Sequence, residues 1–105
     1  MTLNETWLCE AIQGRRVVSL WYDGGMRECA PFAIGKTTAG NVAVRCWQLS
    51  GFSKSAEPMP GWRLFRVDGI KNLLVLDREF LDFPPGYNPN DKKLSPLWLS
   101  IPLPG

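Results

Sequence analysis

The chain has 105 residues, with 12 Lys and Arg residues against 10 Asp and Glu residues, and it contains no histidine. A chain of this length supports one domain with one modest hydrophobic core. The absence of histidine excludes Ser-His-Asp and Cys-His nucleophile systems and histidine-containing zinc sites, so we expect a binding protein and not an enzyme.

The first predicted element is an amphipathic helix over residues 3–13. Thr2 and Glu5 have the spacing of a capping box, apolar residues recur at helical intervals, and Gly14 supplies a stop. Because so short a helix is marginal on its own, we expect it to pack on a sheet.

Five short strands are predicted after the helix. Asp23-Gly24-Gly25 supplies a tight hairpin turn, and Pro31 predicts an edge or a bulge. The longest loop within the sheet, residues 50–61, is rich in Gly, Ser and Pro. The pattern predicts a mainly β (α+β) fold, in which a helix (residues 1–14) packs on a small five-stranded β-barrel (15–77). The predicted strands are residues 16–22, 26–35, 42–49, 62–67 and 71–76.

The last part of the chain, residues 78–105, is predicted to be an extended tail of the same domain. Residues 84–105 hold six of the nine prolines, which disfavours a helix or a central strand. The same segment is too apolar to be disordered. Its apolar run suits pairing with another chain, and docking onto the chain's own sheet edge is an equal alternative. Four residues are candidates for contacting a partner: Tyr87, Trp98, Leu99 and Ile101.

Two patterns among the predicted strands point to a family. The first runs from Ala11-Ile12 to Arg16, continues with Val18, Leu20 and Tyr22, and ends with Arg27 and Pro31. The second is Trp62-Arg63-Leu64-Phe65-Arg66-Val67-Asp68-Gly69-Ile70. Over about residues 8–76 the chain therefore resembles the WYL domain, a small Sm-like or SH3-like β-barrel of bacterial regulators whose own segment reads Arg-x-Phe-Arg-Leu-Asp-Arg-Ile.

The resemblance implies a ligand-sensing barrel that serves transcription regulation or defence in a bacterium or its phage. The chain departs from the family where Val42-Ala43-Val44 replaces the tripeptide Trp-Tyr-Leu. It departs again where Gly69 replaces an arginine that is thought to help bind ligand in family members. Fewer than fifteen residues precede the barrel, so we expect a free-standing sensor without the DNA-binding domain that such regulators carry.

Positive charge is concentrated in the middle of the chain. Residues 41–71 carry five positive and two negative charges, a surplus of three, among several aromatic residues. Arginine presents a rigid fork of donors that matches phosphate oxygens, and flat aromatic faces stack on bases. We therefore predict recognition of an anionic ligand, a nucleotide or single-stranded nucleic acid. The predicted ligand-binding residues are Tyr22, Arg27, Arg45, Trp47, Arg63 and Arg66.

Two alternatives stay open at this point. The arginines can be solvated or paired with nearby carboxylates, while the tryptophans belong to the core. The chain can also be a protein-interaction module that forms a homodimer or docks on a larger partner through the barrel edge and the tail.

The cysteines bear on the cellular compartment. Cys9, Cys29 and Cys46 lie far apart, and the N-terminus lacks the basic region and apolar run of a secretory signal. No stretch approaches the roughly 18–20 apolar residues that span a membrane. We therefore expect a cytoplasmic protein with reduced thiols and without a metal or other cofactor.

Overall fold

A computed structural model describes residues 1–54 and 57–104. Residues 55 and 56 of the predicted loop and residue 105 of the predicted tail lie outside the described residues. Helix α1 spans Leu3–Gly14, and a short 3-10 turn spans Val67–Gly69. The six strands are β1 (Arg16–Tyr22), β2 (Gly25–Lys36), β3 (Val42–Gly51), β4 (Gly61–Arg66), β5 (Lys71–Glu79) and β6 (Leu97–Ser100).

The predicted capping box of α1 is confirmed. The Thr2 hydroxyl accepts a hydrogen bond from the Glu5 amide at 3.2 Å, and the Glu5 carboxylate accepts one from the Thr2 amide at 3.1 Å. The helix ends at Gly14 and is capped by Arg15, which has a left-handed φ of 56° and donates its backbone N–H to the carbonyls of Ala11 and Ile12. The buried face of α1, formed by Leu8, Ala11 and Ile12, packs into the main core.

The strands form one antiparallel sheet in the order β4-β3-β2-β1-β5. Strand β6 pairs with β2 beyond the segment of β2 that pairs with β1. Within the described part of the chain no pairing joins β4 to β5, so the sheet is open. The structure therefore has an α+β fold, mostly β, with six strands where the sequence predicted five. The additional strand lies in the predicted tail.

Strand β2 changes its partners near Pro31. The pairing of β2 with β3 shifts register between Pro31 and Ala33, which confirms the predicted bulge, because proline has no N–H to donate to the ladder. Beyond the bulge, the Phe32 carbonyl accepts a hydrogen bond from the Ile101 amide at 2.9 Å. A Cβ on Gly35 would lie 2.5 Å from the Pro96 carbonyl oxygen, so this glycine permits the close approach of the tail.

The tail completes the core. Ile101 is 1% exposed and Leu94 is 3% exposed, so both are as buried as the residues of the strands. Phe32 lies between the tail and the sheet, with its ring centroid 4.9 Å from that of Tyr87 and 5.4 Å from that of Trp62. No helix in residues 1–54 and 57–104 has the length and apolar character needed to cross a membrane.

Candidate functional site

The strand register divides the four predicted ligand-binding arginines between the two faces of the sheet. Arg63 lies opposite Cys46, and Gln48 follows two residues later on β3. The Gln48 side chain accepts a hydrogen bond from Arg27 at 3.2 Å. Because side chains alternate along a strand, Arg27, Gln48 and Arg63 share one face. The other two arginines, Arg45 and Arg66, lie on the opposite face.

Arg27 is a buried cation held by neutral groups. Its side chain is 4% exposed, and it donates to the Tyr22 carbonyl at 3.2 Å and to Gln48. The guanidinium carbon lies 5.2, 5.4 and 5.7 Å from the ring centroids of Phe65, Phe52 and Tyr22. Such cation–π contacts stabilise a desolvated cation. Among the described residues no carboxylate forms an ion pair with Arg27.

Arg63 is also buried, at 5% exposure, on β4. It donates to the Pro58 carbonyl at 2.7 Å, to the Trp62 carbonyl at 3.0 Å and to the Ser53 hydroxyl at 3.3 Å. Its Nε is fully buried and has no hydrogen-bond partner in the described chain, with Glu57 Oε1 3.6 Å away. Arg63 therefore retains an unused donor, which is uncommon for a buried polar atom.

Both arginines lie against the loop that follows β3. Gln48, which binds Arg27, also donates to the Phe52 carbonyl at 2.7 Å, while Arg63 binds Ser53 and Pro58. The Phe52 ring covers the β1–β2 turn, since a Cβ on Gly25 would lie 2.6 Å from Phe52 Cβ. We call Tyr22, Arg27, Gln48, Phe52 and Arg63 the arginine site.

Arg45 and Arg66 are both neutralised by aspartates. Arg45 donates to Asp91 at 2.6 Å, and the two side chains are 19% and 13% exposed. Burial acts to raise the pKa of Asp91, but the hydrogen bond from Arg45 and the charge of Arg45 hold that pKa below its ordinary value. Arg66 is exposed and pairs with Asp68 at 2.7 Å. Neither arginine contributes to the arginine site.

Of the two predicted aromatic ligand-binding residues, one lies in the arginine site and one outside it. The Tyr22 ring packs on Phe65 with centroids 4.6 Å apart, and its hydroxyl accepts a hydrogen bond from the Arg66 amide at 3.2 Å. Trp47 faces the other side of the sheet, edge-on to Trp62 at 5.1 Å. There Trp47 lines an apolar cleft of about 650 Å³ with Phe32 and residues 78–85.

The predicted partner-contacting residues are used mostly within the chain. Leu99 lies in β6, paired with Ile34 of β2. Tyr87 donates its hydroxyl hydrogen to the Ile101 carbonyl at 2.6 Å, so both residues fasten the tail to the sheet. Trp98, at 38% exposure, is the member of the four that presents most surface to solvent. The tail thus docks on the chain's own sheet.

Sequence reasoning missed Gln48 and Phe52. Gln48 is 0% exposed and lies on the same face of β3 as Val44 and Cys46. A polar amide at this core position could have been recognised from the alternation of the sequence. Phe52 follows Gly51 in a loop whose composition gives no indication of its packing, and no local pattern would have found it.

Neither a metal centre nor a relative indicates the function directly. In the two described ranges, no three Cys, Asp or Glu side chains come together in an arrangement that could hold a metal ion. No protein-family model, curated protein or solved structure matches the chain.

Proposed function

We propose that the chain is a non-enzymatic binding module that recognises the phosphate of a nucleotide or of single-stranded nucleic acid at Arg27 and Arg63. The observation that carries this proposal is the placing of two guanidinium groups, 4% and 5% exposed, on one face beneath one loop. In the described chain their nearest ion-pair partner is Glu57, 3.6 Å from Arg63 and half exposed itself. A buried charge is costly unless it is paired, so an incoming anion is a favourable partner.

The donors suit a phosphate. The unused Nε of Arg63 and the fork of Arg27 supply charge-assisted hydrogen bonds, which are the strong ones in proteins. Access requires the Phe52 side chain to swing aside, since it covers the Arg27 guanidinium. Phe52 is 38% exposed, and its ring lies against Gly24. Its ring and that of Tyr22 then offer faces on which a base stacks.

The resemblance to the WYL domain supports the same site. Tyr22 and Arg27 belong to the first resembling segment, and Arg63 and Phe65 belong to the second. The two segments meet at the arginine site, where the Arg27 guanidinium lies over both the Tyr22 and the Phe65 ring. We accordingly propose that the open sheet is a variant of the small Sm-like or SH3-like barrel of that family, acting as a ligand sensor in the cytoplasm.

A titration panel tests the proposal. Inorganic phosphate, nucleoside mono-, di- and triphosphates and short single strands are titrated into the protein, with binding followed by calorimetry at about 50 and 200 mM salt. We expect saturable binding of at least one phosphate-bearing probe, weakening as salt rises, because phosphate contacts release counterions. The absence of salt-sensitive binding by every probe would overturn the proposal.

A further inference from the structure

Gln48 is the buried side chain that holds Arg27 in the arginine site. It is 0% exposed, and its amide oxygen accepts a hydrogen bond from Arg27 at 3.2 Å. Its amide nitrogen donates to the carbonyls of Phe52 at 2.7 Å and of Ser50 at 3.3 Å. Because the two carbonyls require a donor, the amide lies with its nitrogen toward the loop and its oxygen toward Arg27. The backbone around Gln48 therefore fixes which end of the amide meets the guanidinium.

The neutral amide at position 48 leaves the charge of Arg27 uncompensated. In the two described ranges, the Arg27 guanidinium donates to the Tyr22 carbonyl and to Gln48, both of which are uncharged. Glutamate has nearly the same size and shape as glutamine, so a carboxylate at this position would lie within hydrogen-bond distance of Arg27. Charge-assisted hydrogen bonds are roughly twice as strong as neutral ones. Glutamine thus forgoes the stronger contact and keeps a buried cation without a counter-ion.

The carboxylates on the strands around Arg27 pair with other cations. Asp23, in the turn between β1 and β2, pairs with Lys54 at 2.7 Å. Glu28, the next residue after Arg27 on β2, pairs with Arg78 at 3.3 Å. Because neighbouring residues of a strand point to opposite faces, Glu28 faces away from the arginine site. Position 48 is therefore a place from which a side chain would decide whether Arg27 stays unpaired.

We infer that Gln48 is the specificity-determining residue of the arginine site, because its neutral amide positions Arg27 without cancelling the charge that the ligand cancels. The inference rests on the proposed function and adds which group of the ligand reaches Arg27. That group is an anion and not a neutral oxygen of a base. The neutral oxygens of Tyr22 and Gln48 already bind the guanidinium, and what Arg27 lacks is a negative charge.

The variant Gln48→Glu tests the inference through its dependence on pH. When protonated, the introduced carboxyl can donate to the Phe52 carbonyl as the amide does; when ionised, it pairs with Arg27 and competes with the ligand. Calorimetry with the best phosphate-bearing probe of the titration panel, from about pH 5 to about pH 9, gives the affinity as a ratio to wild type, which cancels titration of the probe. We expect binding about tenfold or more weaker than wild type where the carboxyl is ionised, and a ratio that approaches one as the pH falls.

Gln48→Met is the matched control, because methionine is uncharged and similar in size. It removes the hydrogen bonds of the amide and leaves Arg27 charged, so we expect an affinity within about fivefold of wild type at every pH. Circular dichroism at each pH confirms that the variants are folded, and the methionine variant still decides the matter if Gln48→Glu unfolds at high pH.

Two results would overturn the inference and leave the proposed function standing. One is a Gln48→Glu variant that binds like wild type at every pH. The other is a folded Gln48→Met variant that loses about tenfold or more in affinity, since Gln48 would then act through its hydrogen bonds and not through its neutral charge. A wild-type chain that binds no probe would overturn both proposals, so the two failures are distinguishable.

Discussion

Arg27 is a charged side chain enclosed by three aromatic rings and two neutral oxygen acceptors. The β-branched and apolar residues around it, such as Val18 and Leu20, are those of an ordinary strand. Its burial follows from alternation, because Arg27 lies directly opposite the buried Leu20 in the β1–β2 hairpin. A cation in a core position without a counter-ion is the feature that we take as functional.

The three thiols differ in reactivity because they are buried to different extents. Cys29 and Cys46 are 0% exposed, and Cys9 is half-buried. Burial, together with the neighbouring Cys29, raises the pKa of Cys46 well above its usual value, and burial and Glu5 raise the pKa of Cys9. Since the thiolate is the reactive form, Cys9 and Cys46 are poor nucleophiles in the folded protein, and burial shields Cys29 from reagents.

We predict that an alkylating reagent at pH 8 modifies Cys9 first, and Cys29 and Cys46 only when the protein unfolds. Peptide mapping by mass spectrometry after timed alkylation measures the three rates, with the urea-unfolded chain as the control. Modification of Cys46 in the folded protein at its unfolded rate would contradict the buried positions.

At the scale of elements, the ion pair between Arg45 and Asp91 fastens the tail to β3. Asp91 also accepts a hydrogen bond from the Lys93 amide at 3.0 Å, which fixes the turn before β6. The structure therefore uses two residues from distant parts of the chain to hold the added strand in place. An isolated surface pair would stabilise little, but this pair is largely buried.

We predict that Asp91→Asn lowers the free energy of unfolding by about 1.5–3 kcal/mol, the range for hydrogen bonds to charged groups. The pKa of Asp91 is lowered in the folded state, so its contribution is fully present above the ordinary value of about 3.9 and is lost as the pH falls through the lowered pKa. Urea unfolding of wild type and variant between pH 2 and pH 7 measures how the contribution of Asp91 to the free energy of unfolding changes with pH. The variant should lose less stability on acidification than wild type.

Asp77→Asn is the matched control for that experiment, because Asp77 is fully exposed in its ion pair with Arg16. We expect its stability and acid response to follow those of wild type. An Asp91→Asn variant that behaves like Asp77→Asn would show that the tail is held by its apolar contacts alone.

The elements differ in how far local sequence predicts them. The helix and the first five strands were predicted close to their observed bounds, because capping residues, alternation and glycine turns are local signals. The segment of β6 was predicted as an extended apolar run that docks on another chain or on the chain's own sheet edge, and the choice between the two depends on the bulge at Pro31 and on Gly35. Those are features of the folded sheet, and no window of sequence around residues 97–100 contains them.

The candidate site could be predicted only in part, because some of its features depend on contacts between residues that are distant in the chain. Tyr22, Arg27 and Arg63 were named from charge and from the family resemblance. In the structure Arg27 and Arg63 contact the loop that follows β3, and Tyr22 contacts Arg27. The separation of Arg63 from Arg66 follows from their odd spacing along one strand, which places them on opposite faces. The pairing of Arg45 with Asp91 could not be predicted, since the two residues are 46 positions apart in the chain.

On the scale of the whole molecule, the arginine site draws on strands β1 to β4 of the open sheet and on the loop that follows β3.

We propose that Arg27 binds the anion, and the ligand affinity of Arg27→Gln measures this role. The control is Arg78→Gln, which removes the same charge from an exposed side chain paired with Glu28. For the best phosphate-bearing probe, we expect Arg27→Gln to weaken binding about tenfold or more and to flatten its salt dependence. We expect Arg78→Gln to stay within about twofold of wild type. Equal affinities for wild type and a folded Arg27→Gln variant would show that Arg27 does not bind the anion.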